Sequence, residues 1–269
     1  MDATPSDRGQ ANLVGFIILF GFLLVSYSLV QAYVVPNQNA EVEYQHYQEV
    51  REDMTGLYAE IVTPERSTSD RQVLVPVDLG MDYPPRLLFL NPPPASGSIR
   101  SSTQGTIRID GANATEICGG NDTTGLVYSP NYQVTTQPDI RYENGLLYVE
   151  TEDDAYAMLE QRPILTEREN GNDVISLYRL SGTLPRQSGT DTLPLEITVP
   201  GGSENSATVN DVTVTLRSDL PANQWNERVL TGGQSGLNAT QIDDDTVRIQ
   251  GFNSTYDVRC PAVGLGKPP

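Results

Sequence analysis

The chain has 269 residues, enough for a membrane segment and about 200 further residues in one β-rich domain or two smaller ones. Its 35 acidic residues outnumber its 17 basic residues, which gives a net charge of -18 at pH 7. Because this charge repels polyanions, the composition argues against nucleic acid and anionic lipid surfaces as partners.

The set of charged residues is also unusual. The acidic residues are spread along the chain, and the basic residues are sixteen arginines and a single lysine, Lys267. This balance is typical of halophilic proteins, since at molar salt the Debye length falls to roughly 3 Å and carboxylates serve as a screened, hydrated surface. We therefore assign the acidity to solvent adaptation and not to a binding site.

The first predicted element is a transmembrane helix, because residues 13–35 carry no charge. At 1.5 Å per residue a helix of this length spans roughly 34 Å, enough for a bilayer core of about 30 Å. Arg8 precedes the helix, whereas Glu41 and Glu43 follow it, which favours an inside N-terminus and an outside C-terminus. The rest of the chain is then expected outside the cell.

The same segment has features of a cleaved signal peptide. Residues 30–32 offer small or compact side chains before a cut at Tyr33. However, secretory signals begin with a positive region, and here two aspartates offset Arg8 and the terminal amine. A cleaved signal and an uncleaved anchor are both compatible with the residues.

A third interpretation starts from Arg8-Gly9-Gln10, where a charged residue and a glycine directly precede the apolar run. A cut between Gly9 and Gln10 would leave the hydrophobic helix on the mature protein. This N-terminus resembles those of type IV pilin and archaellin precursors, haloarchaeal pilin-like proteins in particular. The resemblance implies that a prepilin peptidase-like enzyme removes a cytoplasmic leader, residues 1–9. Many bacterial pilins have a glutamate at the fifth mature position, which here is Val14.

The resemblance implies a membrane-anchored cell-surface protein with a structural or adhesive role. In the assembled case, the helix at residues 10–36 would leave the bilayer and pack against other copies in a surface filament. The alternative is a non-polymerising, single-pass surface glycoprotein that binds a partner or a cell-wall component.

An amphipathic stalk helix is predicted over residues 37–63. Its apolar residues recur at steps of three and four and so share one face, with the acidic residues, Glu43 included, mostly elsewhere: Tyr47, Val50, Met54, Leu57 and Ile61. Proline in a long helix kinks it more often than it breaks it, so Pro36 predicts a bend at the membrane surface. We interpret His46 as solvated, and Gly56 as a site of close packing or a weak point.

The remaining residues, 64–269, are predicted to form an all-β, antiparallel, sandwich-like head, which makes the fold class α+β. The clearest signal is Asn144-Gly145 between two apolar runs, which predicts a type I′ hairpin over 140–149. Further strands are predicted at 73–79, 86–90, 105–110, 173–180, 194–199, 209–217 and 245–252. Prolines flank 86–90, and we favour an edge or core strand there over a proline-rich recognition loop.

Two kinds of covalent site are predicted in the head. Cys118 and Cys260 are the only cysteines, and a disulfide between them would close a loop of about 140 residues and contribute roughly 4–5 kcal/mol on the chain-entropy model. Two buried free thiols are the alternative. N-x-S/T sequons predict glycosylation at some of four asparagines: Asn113, Asn121, Asn238 and Asn253.

No catalytic or nucleotide-binding motif is found, so we expect neither an enzyme nor a cofactor. A catalytic triad would need the single histidine, His46, from the stalk helix, and two cysteines with one histidine cannot complete a four-ligand zinc site. The acidic runs 152–154 and 243–245 lack the alternating ligands and glycine of an EF-hand, and we interpret them as solvated turns.

Overall fold

The computed structural model describes residues 5–62, 70–151, 156–161, 164–169, 172–201, 206–230 and 236–266, and of 5–11 and 165–169 the backbone only. Helix α1, Pro5–Leu29, continues through a π-helical segment, Val30–Val34, into helix α2, Val35–Val62. The predicted transmembrane and stalk helices are therefore one uninterrupted helical rod. The acidic run 152–154 lies outside the described residues.

The helix accommodates Pro36 through the π-helical segment. In a regular α-helix the proline ring would clash with the carbonyl of Ala32, four residues earlier, and would leave that carbonyl without a donor. Here the backbone N–H of Val35 donates to the carbonyl of Val30, five residues back. A wider turn of this kind absorbs a local obstruction without ending the helix.

The head is predominantly antiparallel β-sheet. Its described strands are β1 Arg71–Asp78, β2 Ser96–Ser101, β3 Gly105–Ile109, β4 Asp122–Thr123, β5 Leu126–Asn131, β6 Asp139–Glu143, β7 Leu146–Glu150, β8 Tyr156–Gln161, β9 Leu165–Glu169, β10 Asn172–Ser176, β11 Arg179–Ser181, β12 Gln187–Gly189, β13 Thr192–Val199, β14 Ser206–Arg217, β15 Leu237–Asp243, β16 Thr246–Arg259 and β17 Ala262–Gly266. Short helices lie at α3, Ala114–Cys118, and α4, Ala222–Gln224, the latter followed by a π-helical turn, Trp225–Val229.

These strands form three sheets. Sheet I has the order β1-β13-β17-β11, and sheet III has the order β12-β2-β5-β6-β7-β8. Sheet II has the order β4-β3-β14-β16-β10-β9, and β15 also pairs with β16. The α+β class is confirmed, with the long helix at one end of the sequence and the β-rich head after it.

The prediction of a purely antiparallel head was wrong at two pairings. Strand β10 runs parallel to β16, and β11 runs parallel to β17. Both pairs belong to two chain segments, 172–181 and 256–266, that lie side by side and leave sheet II for sheet I together. The N–H groups of Leu177 and Arg179 donate to the carbonyls of Arg259 and Pro261, which holds the segments together at the crossing. Local alternation of side chains carries no signal of such a long-range pairing.

The predicted hairpin at 140–149 is confirmed. Glu143 pairs with Leu146 across the turn, and Asn144 and Gly145 have φ values of 47° and 81°. Type I′ turns require φ above zero at both central positions, which asparagine and glycine tolerate best.

A buried carboxylate at this turn ties sheet III to sheet II. Glu143 accepts hydrogen bonds from the hydroxyl of Ser218 (2.5 Å) and from the N–H groups of Asp219 (2.8 Å) and Leu220 (3.1 Å). Burial raises the pKa of Glu143 to about 7, although these donors act in the opposite direction.

The strand β7 separates two hydrophobic cores. Leu147 and Val149 face a core that α2 shares with sheets I and III, whereas Leu146 and Tyr148 face a core built mainly on sheet II around Trp225. Sheet III is therefore the middle layer, and its strand β7 is apolar on both faces because both are covered.

The segment 86–90, predicted as a strand, is a loop. Five prolines between positions 84 and 94 remove the backbone donors that a ladder on either side would need, so the apolar run does not pair with a sheet.

Candidate functional site

The described residues hold no group of three or more histidine, cysteine, aspartate or glutamate side chains that could bind a metal ion. The feature that calls for a functional explanation is instead the N-terminal helix and its contact with the head. We call residues 12–34 the bare half, residues 35–62 the packed half, and the contact around Asn39, Glu43 and His46 the junction.

The bare half exposes apolar side chains on all sides. Every large hydrophobic residue from Leu13 to Val25 has between 51 and 67% of its surface exposed. From Asn12 the helix is long and apolar enough to cross a membrane. Gly9 and Gln10 lie within α1, so the predicted cleavage site has helical backbone.

The packed half buries the face that the sequence predicted. Tyr47, Val50, Met54, Leu57 and Ile61 are all buried in the core shared with sheets I and III. Burying side chains of this size contributes roughly 1.5–3 kcal/mol each. The helix is therefore part of the head's core, and not a spacer below it.

Glu43 is fully buried at the N-terminal end of this face and binds the loop between β5 and β6. Its carboxylate accepts hydrogen bonds from the N–H groups of Gln133 (3.0 Å), Val134 (3.0 Å) and Thr135 (2.7 Å), from the hydroxyl of Thr135 (2.8 Å) and from the hydroxyl of Tyr83. Burial acts to raise the pKa of Glu43, but the donated hydrogen bonds outweigh it and the pKa lies below its usual value. The charged carboxylate of Glu43 thus links the helix to the head through these hydrogen bonds.

The predictions that Glu43 lies away from the apolar face and that His46 is solvated were wrong. Glu43 lies four residues before Tyr47 on the apolar face, and its exposed surface is 0%. His46 is 5% exposed, and its Nδ1 lies 2.7 Å from the hydroxyl of Tyr132, whose ring packs edge-on against the imidazole. Burial lowers the pKa of His46, against the nearby carboxylates of Glu49, Asp78 and Asp53, which act to raise it. The sequence did contain a signal for this burial, because Glu43 and His46 lie four residues before the apolar residues Tyr47 and Val50.

A proline-rich loop, residues 82–94, extends from the junction along the helix toward its N-terminus. At its base the guanidinium of Arg86 donates to Oδ1 of Asn39 (2.8 Å), to Oε1 of Gln38 (3.1 Å) and to the side-chain oxygen of Asn91. Asn91 in turn donates to the carbonyl of Pro84 at 2.7 Å, which closes the loop on itself. The base is therefore a polar, hydrogen-bonded collar.

The tip of this loop contacts the bare half. The hydroxyl of Tyr27 donates to the carbonyl of Leu88 at 2.9 Å, and the Tyr27 ring stacks on Phe89 with centroids 5.2 Å apart. The amide side chain of Gln31 donates to the carbonyl of Leu90 (3.0 Å) and accepts from its N–H (3.1 Å). The head thus makes specific contacts to helix residues that precede Tyr33.

The four sequon asparagines all lie on the surface of the head. Asn113 caps α3, since its Oδ1 accepts from the N–H of Thr115 at 3.1 Å. Asn238 lies on β15, and Asn253, on β16, has a left-handed backbone with φ of 60°. Asn121 is exposed beside the start of β4.

Cys118 and Cys260 are joined by a disulfide with Cα atoms 4.8 Å apart. The bridge fastens the end of α3 to the point where the chain leaves β16 for β17. Beside it, the buried guanidinium of Arg179 donates to the carbonyl of Cys118 (3.3 Å) and to the carbonyl (2.6 Å) and carboxylate (2.6 Å) of Asp122. The hydrogen bond from Arg179 holds the pKa of Asp122 below its usual value.

Comparisons with known proteins give one distant similarity. An uncharacterized protein of Archaeoglobus fulgidus is 22% identical to this chain over 230 residues, which cover 82% of the chain and 38% of that protein. The chain thus spans well under half the length of the relative it matches. No protein-family model matches the chain, and no solved structure matches it.

Proposed function

We propose that this chain is a membrane-anchored, pilin-like surface protein whose helix is kept on the mature protein and holds the β-rich head outside the cell. Its role is structural or adhesive. The observation that carries the proposal is a single helix that is bare and apolar in its first half and part of the head's core in its second. A hydrophobic helix that stays on the mature protein is what the resemblance of the N-terminus implies.

Retention of the helix is supported by the contacts before Tyr33. A signal peptidase cutting at Tyr33 would separate Tyr27 and Gln31 from the loop that binds them. Contacts of this kind have no use on a segment that is discarded. A cut between Gly9 and Gln10 removes none of them.

Glycosylation and salt adaptation belong to the same proposal. All four sequon asparagines are exposed on the head, where a glycan has room. The excess of carboxylates suits a surface in molar salt. Intact-mass measurement of the native protein tests the glycosylation, because a mass that corresponds to four unmodified asparagines would contradict it.

The non-polymerising single-pass protein is the second candidate, and the loop at 82–94 favours it. The loop covers one side of the helix at Tyr27 and Gln31, which a filament would otherwise use for packing against other copies. In this case the head binds a partner or a cell-wall component as a monomer.

N-terminal sequencing of the native protein, in wild type and in a strain without prepilin peptidase, separates these candidates. We expect the wild-type protein to begin at Gln10 and the mutant strain to retain residues 1–9. A start at Met1 or Asp2 in both strains would support the uncleaved anchor, and a start at Tyr33 would overturn retention of the helix. Sedimentation of sheared surface material then tests whether the processed protein is in filaments.

A further inference from the structure

The loop at residues 82–94 ends in an apolar tip, residues 87–90. We propose that this tip enters the head-side leaflet of the bilayer next to the helix, so that the head is seated on the membrane by two elements. The proposal rests on the retained helix of the proposed function, and it adds a lipid-binding site in the head itself.

The position of the tip along the helix supports this assignment. Tyr27 and Gln31, which bind the tip, lie inside the uncharged run that begins at Leu13. At 1.5 Å per residue they are about 21 and 27 Å along the helix from Leu13, within a bilayer core of about 30 Å. A helix that spans the bilayer with Leu13 at one face therefore carries the tip into the opposite leaflet.

The side chains of the tip suit a lipid environment. Leu87, Leu88 and Leu90 have 103, 75 and 76% of their surfaces exposed, although they are among the most apolar residues of the head. Residues 87–95 carry no charge. Three leucines within four residues with this exposure are costly in water, at about 25 cal/mol per Å² of apolar surface.

Part of the loop's backbone also suits a low-dielectric environment. Hydrocarbon tolerates irregular backbone only where its polar groups are satisfied by protein. Positions 84, 85, 92, 93 and 94 are prolines and have no N–H to satisfy. At the tip, Gln31 binds both the N–H and the carbonyl of Leu90, and Tyr27 binds the carbonyl of Leu88.

The polar collar lies at the level expected for the membrane surface. Arg86 is bound to Gln38 and Asn39, which are seven and eight residues further along the helix than Gln31. This separation is about 10–12 Å along the axis, so the guanidinium would lie among headgroups while the leucines lie among acyl chains. The loop therefore has the same polarity gradient as the membrane.

Lipid is favoured over a second copy of the chain as the occupant. The tip is fixed to its own helix, and lipid already surrounds that helix at the same level before any assembly. The negative charge of the head does not oppose this contact, because the tip is uncharged and a zwitterionic bilayer has no net charge to repel.

Tryptophan fluorescence in vesicles tests the proposal with the full chain. Leu87→Trp is reconstituted in phosphatidylcholine vesicles with or without bromine on the acyl chains near the headgroup. The single native tryptophan, Trp225, is fully buried in the sheet II core and provides a constant background. We expect bromine to reduce the added emission to less than about half, because it quenches only at contact distance within the leaflet.

Two further variants separate the possible results. Leu19→Trp in the bare half should be quenched by bromine deep in the acyl chains, and Phe252→Trp on exposed β16 should not be quenched. Quenching at residue 19 without quenching at residue 87 would overturn the tip proposal and leave the anchor intact. A blue-shifted, concentration-dependent but unquenched signal at residue 87 would assign the tip to a second copy, and also overturns it. No quenching at residue 19 would overturn the membrane anchor itself.

Discussion

The bare half and the packed half of the N-terminal helix have the same secondary structure but opposite surroundings. In the packed half, apolar residues follow the three-and-four spacing and are buried, while the opposite face carries charge. In the bare half there is no charge and no polar face, and the large apolar side chains are exposed. A helix with one apolar face needs one protein surface, whereas a helix apolar all round needs apolar surroundings on every side.

The largest expected effect comes from placing a charge in each half. Met54→Asp puts a carboxylate in the fully buried face of α2 and should lower the free energy of unfolding by at least about 4 kcal/mol. Ile18→Asp lies on an exposed position of the bare half, so head stability in detergent should stay within about 0.5 kcal/mol of the unchanged protein.

Chemical unfolding in detergent, followed by Trp225 emission, checks both variants, and carbonate extraction of membranes checks retention. Ile18→Asp should weaken membrane insertion by about 3 kcal/mol. Equal losses of head stability in the two variants would show that the halves do not differ as the structure indicates.

A smaller effect is expected from removing the charge of Glu43, the buried carboxylate of the junction. Glu43→Gln keeps the size of the side chain but replaces an acceptor oxygen with a donor facing the N–H groups of residues 133–135. The loss of charge-assisted hydrogen bonds should cost about 2–3 kcal/mol of the free energy of unfolding. The matched control is Glu49→Gln, which is exposed on the same helix and should change stability by less than about 0.5 kcal/mol. Similar unfolding curves for the two variants would contradict the role of Glu43.

The two halves should also differ in their response to acid. The pKa values of Glu43 and His46 are both lowered in the folded protein, so their stabilisation is present above their ordinary pKa values and is lost as pH falls through the folded values. The bare half has no carboxylate, imidazole or amine side chain between residues 12 and 34, so vesicle association should not change over the same pH range.

Hydrogen-exchange protection of the amides at 133–135, compared with that of the head as a whole, measures this acid response locally. A local probe is needed because Glu143 acts in the opposite direction. Its pKa is raised to about 7, so its contribution is full below its ordinary value of 4.5 and is lost as pH rises through 7. Protection at 133–135 that stays constant into acid would contradict the prediction.

The smallest expected effect concerns a glycine in each half. Gly56 is exposed on α2, and a Cβ added there would meet no other atom within 4 Å. The interpretation of close packing at Gly56 is therefore not supported, and Gly56→Ala should stabilise the head by about 1 kcal/mol. Gly21→Ala, which also has free space, should leave head unfolding unchanged because the bare half makes no core contact there. Thermal unfolding of the two variants in parallel is the measurement.

Local patterns predicted the elements that local chemistry determines. Asn144-Gly145 could be identified because the type I′ turn needs those residue types, and the packed face could be identified because Tyr47 to Ile61 repeat at helical spacing. Residues 86–90 were misassigned because an apolar run predicts burial, while its flanking prolines determine that no sheet can accept it.

The junction could be predicted only in part, for a physical reason. Glu43 lies at the right spacing to face the core, but its burial depends on three N–H groups about ninety residues later in the chain. The parallel pairing of β10 with β16 likewise depends on contacts distant in sequence. Such contacts require the positions of both segments, which no single stretch of sequence contains.

The disulfide between Cys118 and Cys260 has a mechanical consequence for a protein held by its helix. When the head is pulled between α2 and β17, the covalent bridge carries the load past the residues between the two cysteines, which are 142 positions apart. At about 3.5 Å per extended residue the bridge withholds about 500 Å of chain that an unfolding head would otherwise release. Under tension, the oxidised protein can therefore lengthen mainly through the segment that precedes Cys118, and the chain enclosed by the bridge does not extend.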